Sequence, residues 1–366
     1  MPVLPTFLHP QMVMARISRL IVINTTLQDR FGTGAGGSNV RKTPSRSGSY
    51  DVFDDTREVA TATVPGAPAV HIARQPVGNV PFRIPRSAEK LPIPKETVNQ
   101  IRPVGGQVNE IDELGRQYIQ DQEQIVRQRN TNLREFQTSA MLRGSYTFTQ
   151  SGVDMFTHAY SGGSITVDYQ IPAGNKSQLD MTGDGDIIGT AWDNSAAPIV
   201  RDLLAINAAF IENVGIGLHD VFVTSVMWGH IVVNAEVQSL AGSTNDPVLE
   251  FKRDEVKQEF TAVLRGAPWV TFHIVDNGLN LSGTFTKLIA DTAGVFTTGI
   301  DSRVVQFWEC PEPVMNPVTQ AESNEYGEYY YHKLLDDPVS YEFHSRYNGL
   351  PVLLIPAAIC YATLDF

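Results

Sequence analysis

The fold is decided by one uninterrupted stretch, residues 108–148, which reads VNEIDELGRQYIQDQEQIVRQRNTNLREFQTSAMLRGSYTF. At about 100° per residue its apolar side chains fall on a single stripe, while charged residues such as Glu123 and Arg134 point elsewhere. The stripe consists of Ile111, Leu114, Tyr118, Ile125, Leu133, Phe136 and Ala140. Since no proline interrupts residues 107–144, the pattern predicts one long helix from 108 to 143, about 50 Å in length at ~1.5 Å per residue.

The sequence also predicts how this helix ends. Gly144 suits the residue that follows a helix, and Arg143 lies near the negative end of the helix dipole. The next residues, Ser145 to Thr149, alternate as in a strand. A single stripe on so long a rod can be covered from one side only, so we expect this helix to lie along a sheet.

Composition limits the classes of protein that fit. A chain of 366 residues with 42% apolar content can bury a core in two lobes, and a net charge of −12 argues against a dedicated nucleic-acid-binding protein. The two cysteines, Cys310 and Cys360, cannot form a disulfide framework. The N-terminus lacks the features of a signal peptide, and the most apolar stretch, residues 350–364, is too short to span a bilayer. We therefore expect no membrane association.

The first 94 residues differ from the rest in composition and charge. Residues 32–49 are rich in Gly, Ser and Thr, which predicts an extended arm that becomes ordered only against partners. Between residues 1 and 50 the sequence has a single acid, Asp29, against six basic residues, which are Arg16, Arg19, Arg30, Arg41, Lys42 and Arg46. Residues 47–94 then read as a long hairpin, whose tip is Val64, Pro65, Gly66, Ala67 and Pro68.

From residue 198 the pattern becomes that of a compact α/β lobe. Helical patterns near 199–214, 226–240 and 250–264 alternate with strand-like segments at 221–224 and 269–274. Strands return at 304–308 and again from 340 to 363.

Several motifs imitate catalytic or ligand sites. Residues 32–37 match G-x-G-x-x-G by letter, but no strand leads into them and no helix follows, so a flexible linker is favoured. Residues 180–186 resemble the start of a calcium loop, but Ala191 stands where a bidentate glutamate is needed, so an acidic turn is favoured. The histidines and cysteines show no ligand spacing. We expect no catalytic, cofactor or metal site.

A cluster of tyrosines and glutamates near residue 328 allows two interpretations, a sugar-binding platform or a contact between proteins. We favour the second, since tyrosine is enriched in protein interfaces. The cluster consists of Glu322, Glu325, Tyr326, Glu328, Tyr329, Tyr330 and Tyr331.

The end of the long helix carries a family resemblance. Residues 134–146, REFQTSAMLRGSY, resemble the spine-helix end of the lambda-type major capsid proteins, the protein E family of tailed phages. Matching segments occur in the family's order along nearly the whole chain. They are the loop Val59–Ile72, the approach Pro81–Pro85, the entry Gly189–Asp193, and the closing strands Ser340–His344 and Leu350–Pro351.

This resemblance implies an α+β fold of the Hong Kong 97 type (HK97-like) in four parts. Residues 1–46 would form the N-terminal arm and residues 47–94 the extended loop. Residues 95–197, with the spine helix at 108–143 and the returning strands at 308–366, would form the peripheral domain. Residues 198–307 would form the axial domain.

The implied function is that of a major capsid protein, which self-assembles into pentamers and hexamers of an icosahedral head shell around double-stranded DNA. Other partners would be a decoration protein, a portal, and a scaffold or protease, with non-specific DNA contact only. The location would be the virion, after assembly in the host cytoplasm. Two rival interpretations are another phage structural component, such as a tail or decoration protein, and an oligomeric enzyme using the lobe at 198–307.

We predict subunit-interface residues in two places. The first is the loop tip, Val64 to Pro68. The second is the basic arm, where Arg41, Lys42 and Arg46 would pair with acids such as Asp336 and Asp337 of a neighbouring subunit. The alternative for the arm is contact with packaged DNA or scaffold, which sparse arginines favour less.

Overall fold

The computed structural model describes residues 12–14, 25–53, 77–100, 113–149, 164–242, 246–254, 259–281, 283–299, 303–316, 319, 321–336 and 339–366. The helices discussed below are α1 (Thr26–Arg30), α2 (Lys95–Gln100), α3 (Glu113–Leu142), α4 (Ile199–Asn213), α5 (Ser225–Val233) and α6 (Ala235–Leu240). Within the described residues, no helix combines the length and the apolar character needed to cross a bilayer.

The strands of the first half are β1 (Val40–Lys42), β2 (Ser47–Phe53), β3 (Val77–Arg83), β4 (Arg86–Pro94), β5 (Ser145–Thr149), β6 (Ser164–Asp168), β7 (Lys176–Ser177) and β8 (Asp220–Val223). Those that follow are β9 (Val248–Asp254), β10 (Glu259–Leu264), β11 (Ala267–Ile274), β12 (Gly278–Leu281), β13 (Thr284–Lys287) and β14 (Ala293–Thr297). The last are β15 (Val305–Glu309), β16 (Pro311–Met315), β17 (Glu322–Asp336), β18 (Val339–Leu353) and β19 (Ile359–Thr363).

A six-stranded sheet is organised around β18. The first two thirds of β18 lie between β17 and β4, both antiparallel to it, and its last residues pair with β15. The edges are β1, which is parallel to β15, and β16, which pairs with β17. Pro311 and Pro313 lie on β16, and proline is tolerated at a sheet edge because that edge needs fewer donors.

The long helix α3 lies along this sheet, as the sequence predicts. It is confirmed over Glu113–Leu142, and residues 108–112 lie outside the described residues. Gly144 follows it at a φ of 94°, a conformation that glycine adopts without strain, and β5 begins at the next residue. The predicted helix exit is therefore confirmed.

The buried face of α3 differs from the predicted apolar stripe. Leu114 and Ile125 of the stripe are 48% and 54% exposed, whereas Glu123 and Arg134 are fully buried. Of the other stripe residues Ala140 is buried, and Ile111 lies outside the described residues. The predicted buried face is therefore rotated about the helix axis by roughly a quarter to a third of a turn from the observed one, at ~100° per residue. The prediction assumed that apolar side chains face the sheet, whereas polar groups of the helix meet polar groups of the sheet there.

A seven-stranded sheet forms the second lobe, in the order β7-β19-β14-β8-β11-β10-β9. The predicted helices at 199–214 and 226–240 are confirmed as α4, α5 and α6. The predicted helix at 250–264 is wrong, since residues 250–254 and 259–264 lie in the antiparallel strands β9 and β10, and residues 255–258 lie outside the described residues. Phe251 and Phe260 stack at 5.5 Å between ring centroids, a cross-strand contact that alternating side chains provide.

Two further segments differ from the sequence-based expectation. The final strand β19, expected to complete the peripheral part, pairs with β14 and β7 in the seven-stranded sheet. Residues 32–49, expected to order only against partners, fold on their own chain, because β1 pairs with β15 and β2 pairs with β3. The β2–β3 pair is the base of the predicted hairpin, and residues 54–76 lie outside the described residues.

The tyrosine cluster is also placed differently. Tyr329, Tyr330 and Tyr331 lie on β17 and are buried within the chain, so the expected interface role for them is wrong. Tyr330 stacks on Phe343 of β18 at 5.9 Å between ring centroids, while Tyr329 and Tyr331 pack with Val314 on the other side. At these three tyrosines, therefore, both faces of β17 are covered by the chain itself.

Candidate assembly surfaces

Of the predicted arm residues, Arg46 is engaged inside its own chain. Its Nη2 atom lies 2.7 Å from Oε2 of Glu312, a side chain only 7% exposed. The same carboxylate meets Arg86 at 2.6 Å and Arg346 at 3.4 Å. Glu312 therefore joins the arm to strands β4 and β18 of the six-stranded sheet at one buried point.

Arg41 and Lys42 lie on the edge strand β1 and are exposed. The Nη1 atom of Arg41 donates to its own segment's carbonyl oxygens of Ser38 and Val40, at 3.2 and 3.1 Å. The ammonium group of Lys42 lies 5.0 Å from the centroid of the Tyr326 ring, a cation–π contact. Both side chains are exposed on this edge strand, where another molecule can reach them.

The remaining predicted interface residues are not brought together by the described structure. Val64, Pro65, Gly66, Ala67, Pro68 and Asp337 lie outside the described residues. Asp336 is the last residue of β17, and only its backbone is described. These assignments stay predictions.

The hairpin base, in contrast, packs on its own chain. Tyr50 of β2 and Phe82 of β3 meet Trp308 of β15, with ring centroids 5.7 and 5.2 Å apart. Both residues are buried and belong to the main core. The hairpin therefore starts from a fixed platform.

The short helix α1 and Phe31, which we call the strap (residues 26–31), are held against the spine helix. Glu135 of α3 accepts the backbone N–H groups of Leu27 and Gln28, at 2.7 and 3.0 Å. Gln28 Nε2 donates to the carbonyl oxygen of Thr131 at 2.8 Å. Burial raises the pKa of Glu135 to about 7, although the two backbone hydrogen bonds act in the opposite direction.

The strap also binds the seven-stranded sheet. Arg30 Nη2 lies 2.5 Å from Oδ2 of the fully buried Asp220, and Phe31 stacks on Phe222 with 5.7 Å between ring centroids. His273 bridges Asp220 and Glu259, at 2.9 and 3.1 Å. Burial alone would raise the pKa of Asp220, but its hydrogen bonds with His273 and Arg30 lower it to about 2. The strap thus ties the spine helix to the second lobe.

Between the spine helix and the six-stranded sheet lies a buried polar layer. The Arg134 guanidinium meets Glu309 at 3.2 Å and Glu328 at 3.3 Å. It also lies over the rings of Phe307 and Tyr347, at 4.8 and 5.2 Å from their centroids. Delocalised charge and a planar shape suit arginine to such a stacked, paired site.

Further contacts of this layer extend along the helix. Asn130 Nδ2 donates to Tyr330 Oη at 2.9 Å and to Ser345 Oγ at 2.7 Å. Nearer the start of the helix, His332 Nε2 lies 2.8 Å from Oε1 of Glu123, and neither side chain is exposed. A hydrogen-bonded layer fixes the rotation and register of the helix on the sheet, since a shift would leave buried groups without partners.

Sequence reasoning missed this layer because it treated charged residues as surface. One signal was available: the polar residues Glu123, Asn130, Arg134 and Gln137 recur at helical spacing, as a buried polar seam does. Gln137 accepts the Tyr347 hydroxyl hydrogen at 2.7 Å and completes that seam.

The residues that the sequence analysis weighed as metal or catalytic candidates can be placed in the fold. Among the described residues, no group of three or more His, Cys, Asp or Glu side chains is arranged to hold a metal ion. Cys310 and Cys360 are buried and unbridged, and burial raises the pKa of both thiols. In the loop at 180–186, Asp180 Oδ1 accepts the N–H of Gly185 at 3.1 Å.

The model of one protein family, described as phage major capsid protein E, matches residues 11–364. This chain belongs to the phage major capsid protein E family. As a member of that family it is a structural protein of the virion, a major capsid protein that forms the icosahedral shell of a phage. A comparison with curated protein sequences gave no match.

Solved structures show the capsid fold. A putative capsid protein of a prophage from Escherichia coli CFT073 is 13% identical, with a TM-score of 0.54 over 98% of this chain and 99% of that chain. A phage-related protein from Bordetella bronchiseptica RB50 is 11% identical, with a TM-score of 0.49 over 97% and 96%. The capsid of cyanophage P-SCSP1u is 10% identical, with a TM-score of 0.45 over 94% of this chain and 89% of that chain. The family match and the similarity to the prophage capsid protein show that this capsid protein has the predicted α+β fold of the Hong Kong 97 type.

Proposed function

We propose that this capsid protein builds the head of a tailed double-stranded DNA phage by repeated association into pentamers and hexamers. The observation that carries the proposal is the family match over residues 11–364 on a chain with the capsid fold. Many copies sharing the same heterologous contacts close into a shell when the rotations close. Assembly would take place in the host cytoplasm, and the shell would enclose the genome.

The four parts inferred from the family resemblance give each region a task in this proposal. The extended loop, expected at 47–94, would reach a neighbouring subunit from its platform at Trp308. Its proposed range now excludes β4 (Arg86–Pro94), which pairs with β18 in the six-stranded sheet. The axial lobe at 198–307 would surround the symmetry axes. The last strand β19 belongs with the axial lobe's sheet, so the proposed boundary there is moved to include it. We assign the axial lobe to assembly rather than to catalysis.

For the arm, we propose that Arg41 and Lys42 pair with acids of a neighbouring subunit, while Arg46 holds the arm on its own chain. Support comes from the exposure of the first two and from the buried position of Glu312. Asp336 and Asp337 remain the proposed partners. A decoration protein, portal, scaffold or protease, and non-specific contact with packaged DNA, complete the proposed partners.

Sedimentation of the purified recombinant chain tests the proposed function. We expect particles of megadalton mass beside free subunits or capsomers, and electron micrographs of rings, tubes or shells. A small monodisperse oligomer at all protein and salt concentrations would contradict it.

A further inference from the structure

Backbone strain is concentrated in one short segment of this chain. Among the described residues, the non-glycine residues with a positive φ are Gln170, Ser177 and Leu179, at 54°, 58° and 62°. This left-handed conformation is unfavourable for a residue with a Cβ atom, because Cβ comes too close to the following carbonyl oxygen. All three lie where the chain passes from β6, beside the spine helix, to β7 in the seven-stranded sheet. We call residues 169–179 the crossing segment.

The two ends of the crossing segment are fixed to different parts of the subunit. At its start, β6 pairs with β5, which follows the spine helix, and the Tyr169 N–H donates to the carbonyl oxygen of Gly144 at 3.0 Å. Further along, β7 pairs with β19 of the second lobe, and Asn175 Nδ2 donates to the carbonyl oxygen of Ile359 at 3.1 Å. The residues between Tyr169 and Asn175 therefore connect the spine helix to the second lobe.

Between these two anchors, Gln170 is the residue best able to change its backbone conformation. Pro172 has a fixed φ, and the residue before a proline, here the buried Ile171, is restricted as well. Gly174 packs so closely on the backbone of Asp180 that a Cβ atom would not fit there. Gln170 has an exposed side chain and no such restriction. A change in the relative position of the two anchors would therefore be absorbed at Gln170.

The side chain of Gln170 also contacts the base of the hairpin. Its Oε1 atom lies beside Gly78 of β3, within van der Waals reach of a Cβ atom placed at that glycine. Strand β3 is the returning strand of the extended loop, which we propose to contact a neighbouring subunit. A movement of the hairpin during assembly would therefore act directly on Gln170.

We propose that Gln170 is a strained hinge that relaxes when the subunit joins the shell. The two anchors hold Gln170 in the left-handed conformation in the free subunit. In the shell, contact of the hairpin with a neighbour shifts the first anchor relative to the second lobe, and the φ of Gln170 becomes negative. Strained residues of this kind occur at switch regions, where the strain is part of the mechanism.

The consequence is a driving force for assembly that is built into the free subunit. The free subunit bears the cost of the left-handed conformation, and the assembled subunit loses it. This inference rests on the proposed function, and it adds the residue through which the shape of the subunit responds to assembly.

The size of the effect follows from the backbone cost. The left-handed conformation of a non-glycine residue changes an equilibrium constant by a factor of roughly 5–30. Asparagine tolerates this conformation better than glutamine, and it keeps the amide group. Gln170→Asn should therefore stabilise the free subunit and give no benefit in the shell. We expect a higher melting temperature of the unassembled chain, and a critical concentration for particle formation that rises at least about threefold.

Ser177→Asn is the matched control. Ser177 is exposed and has nearly the same φ as Gln170, but it lies in β7 and pairs with Ala362 of the same lobe. Its strain should therefore be the same in the free and the assembled subunit. We expect Ser177→Asn to raise the melting temperature of the unassembled chain and to leave the critical concentration unchanged.

Gln170→Val tests the opposite direction. A β-branched residue is less compatible with a positive φ than glutamine, so the free subunit should be destabilised. The melting temperature of the unassembled chain should then fall, and the critical concentration should fall as well. General damage to the subunit would instead lower the melting temperature and raise the critical concentration. If Gln170→Val fails to fold, the comparison of Gln170→Asn with Ser177→Asn still decides.

Sedimentation of the full chain over a series of concentrations measures the critical concentration, and circular dichroism measures melting. Equal critical concentrations for the wild type, Gln170→Asn and Ser177→Asn would overturn the hinge alone. A Gln170→Asn chain that melts no higher than the wild type would also overturn it, because Gln170 would then carry no strain. Failure of the wild type to form particles would contradict the proposed function, and the hinge with it.

Discussion

Replacing Arg134 with methionine removes the cation at the centre of the polar layer under the spine helix. Arg134→Met keeps most of the side-chain volume but leaves Glu309 and Glu328 facing each other with little exposure. Breaking a buried ion pair by removing one partner costs about 3–5 kcal/mol, because the other charge stays buried. At roughly 2 °C per kcal/mol for a large domain, the melting temperature should fall by about 6–10 °C.

Arg129→Met provides the matched control on the same helix. Arg129 also binds a carboxylate, with Nε and Nη2 at 2.8 and 2.6 Å from the oxygens of Glu89, but its side chain is 62% exposed. Exposed ion pairs contribute about 0–1 kcal/mol, so this variant should melt close to the wild type.

Thermal unfolding of the unassembled chain, followed by circular dichroism, measures both variants. A second comparison adds Glu309→Gln and Glu328→Gln to Arg134→Met, which removes the stranded charges and should recover part of the loss. Equal melting temperatures for Arg134→Met and Arg129→Met would refute the argument that buried charge pairing holds the helix on the sheet.

Three further perturbations have defined outcomes. Glu123→Lys should give an insoluble or unfolded chain, because it places a cation beside the buried His332. Asp121→Lys changes an exposed residue of the same helix and should fold. A soluble Glu123→Lys protein with an unchanged melting temperature would contradict this. The pKa of Glu135 is raised from 4.5 to about 7 on folding, so its contribution to stability is fully present below pH 4.5 and is lost as the pH rises through about 7. The free energy of unfolding in urea should therefore fall between pH 5 and pH 8 in the wild type, but not in Glu135→Gln. The same pH dependence in both proteins would contradict this. Deleting Thr63 to Val70 should leave folded subunits that form no shells, as circular dichroism and sedimentation would detect; loss of the fold would instead assign the segment to the subunit's own core.

The long helix and its exit were predictable because local chemistry determines them. Thirty helical residues without proline, then Gly144 in a left-handed conformation, need no tertiary information. The strands near 221, 269, 305 and 340 were predictable for the same reason, since alternating or buried β-branched and aromatic residues mark them.

The rotation of the helix was not predictable from apolar spacing alone. Ile125 is exposed and Arg134 is buried because the sheet offers carboxylates and aromatic faces at that level, and these come from residues 170 or more positions away in sequence. Residues 250–264 were misassigned because Val256, Phe260, Val263 and Leu264 recur in the sequence at helical spacing. The pairing between β9 and β10, which sequence spacing does not show, decides for strands.

The strap contacts could not be read from sequence either. Arg30 was recognised as basic, but its partner Asp220 lies 190 residues away, and a single charged pair leaves no local pattern. The charge-free run of α5, in contrast, is visible in the sequence, and such a run is unusual in a surface helix. What sequence could not supply was which side of that helix its own sheet covers.

Cryo-electron microscopy of the purified recombinant chain tests the central claim most directly. We predict closed particles with icosahedral symmetry, in which each subunit has the spine helix α3 lying along the sheet centred on β18 and the axial lobes meet around five-fold and six-fold positions. A uniform population of small oligomers that never closes into a shell, from soluble and folded protein, would contradict the account.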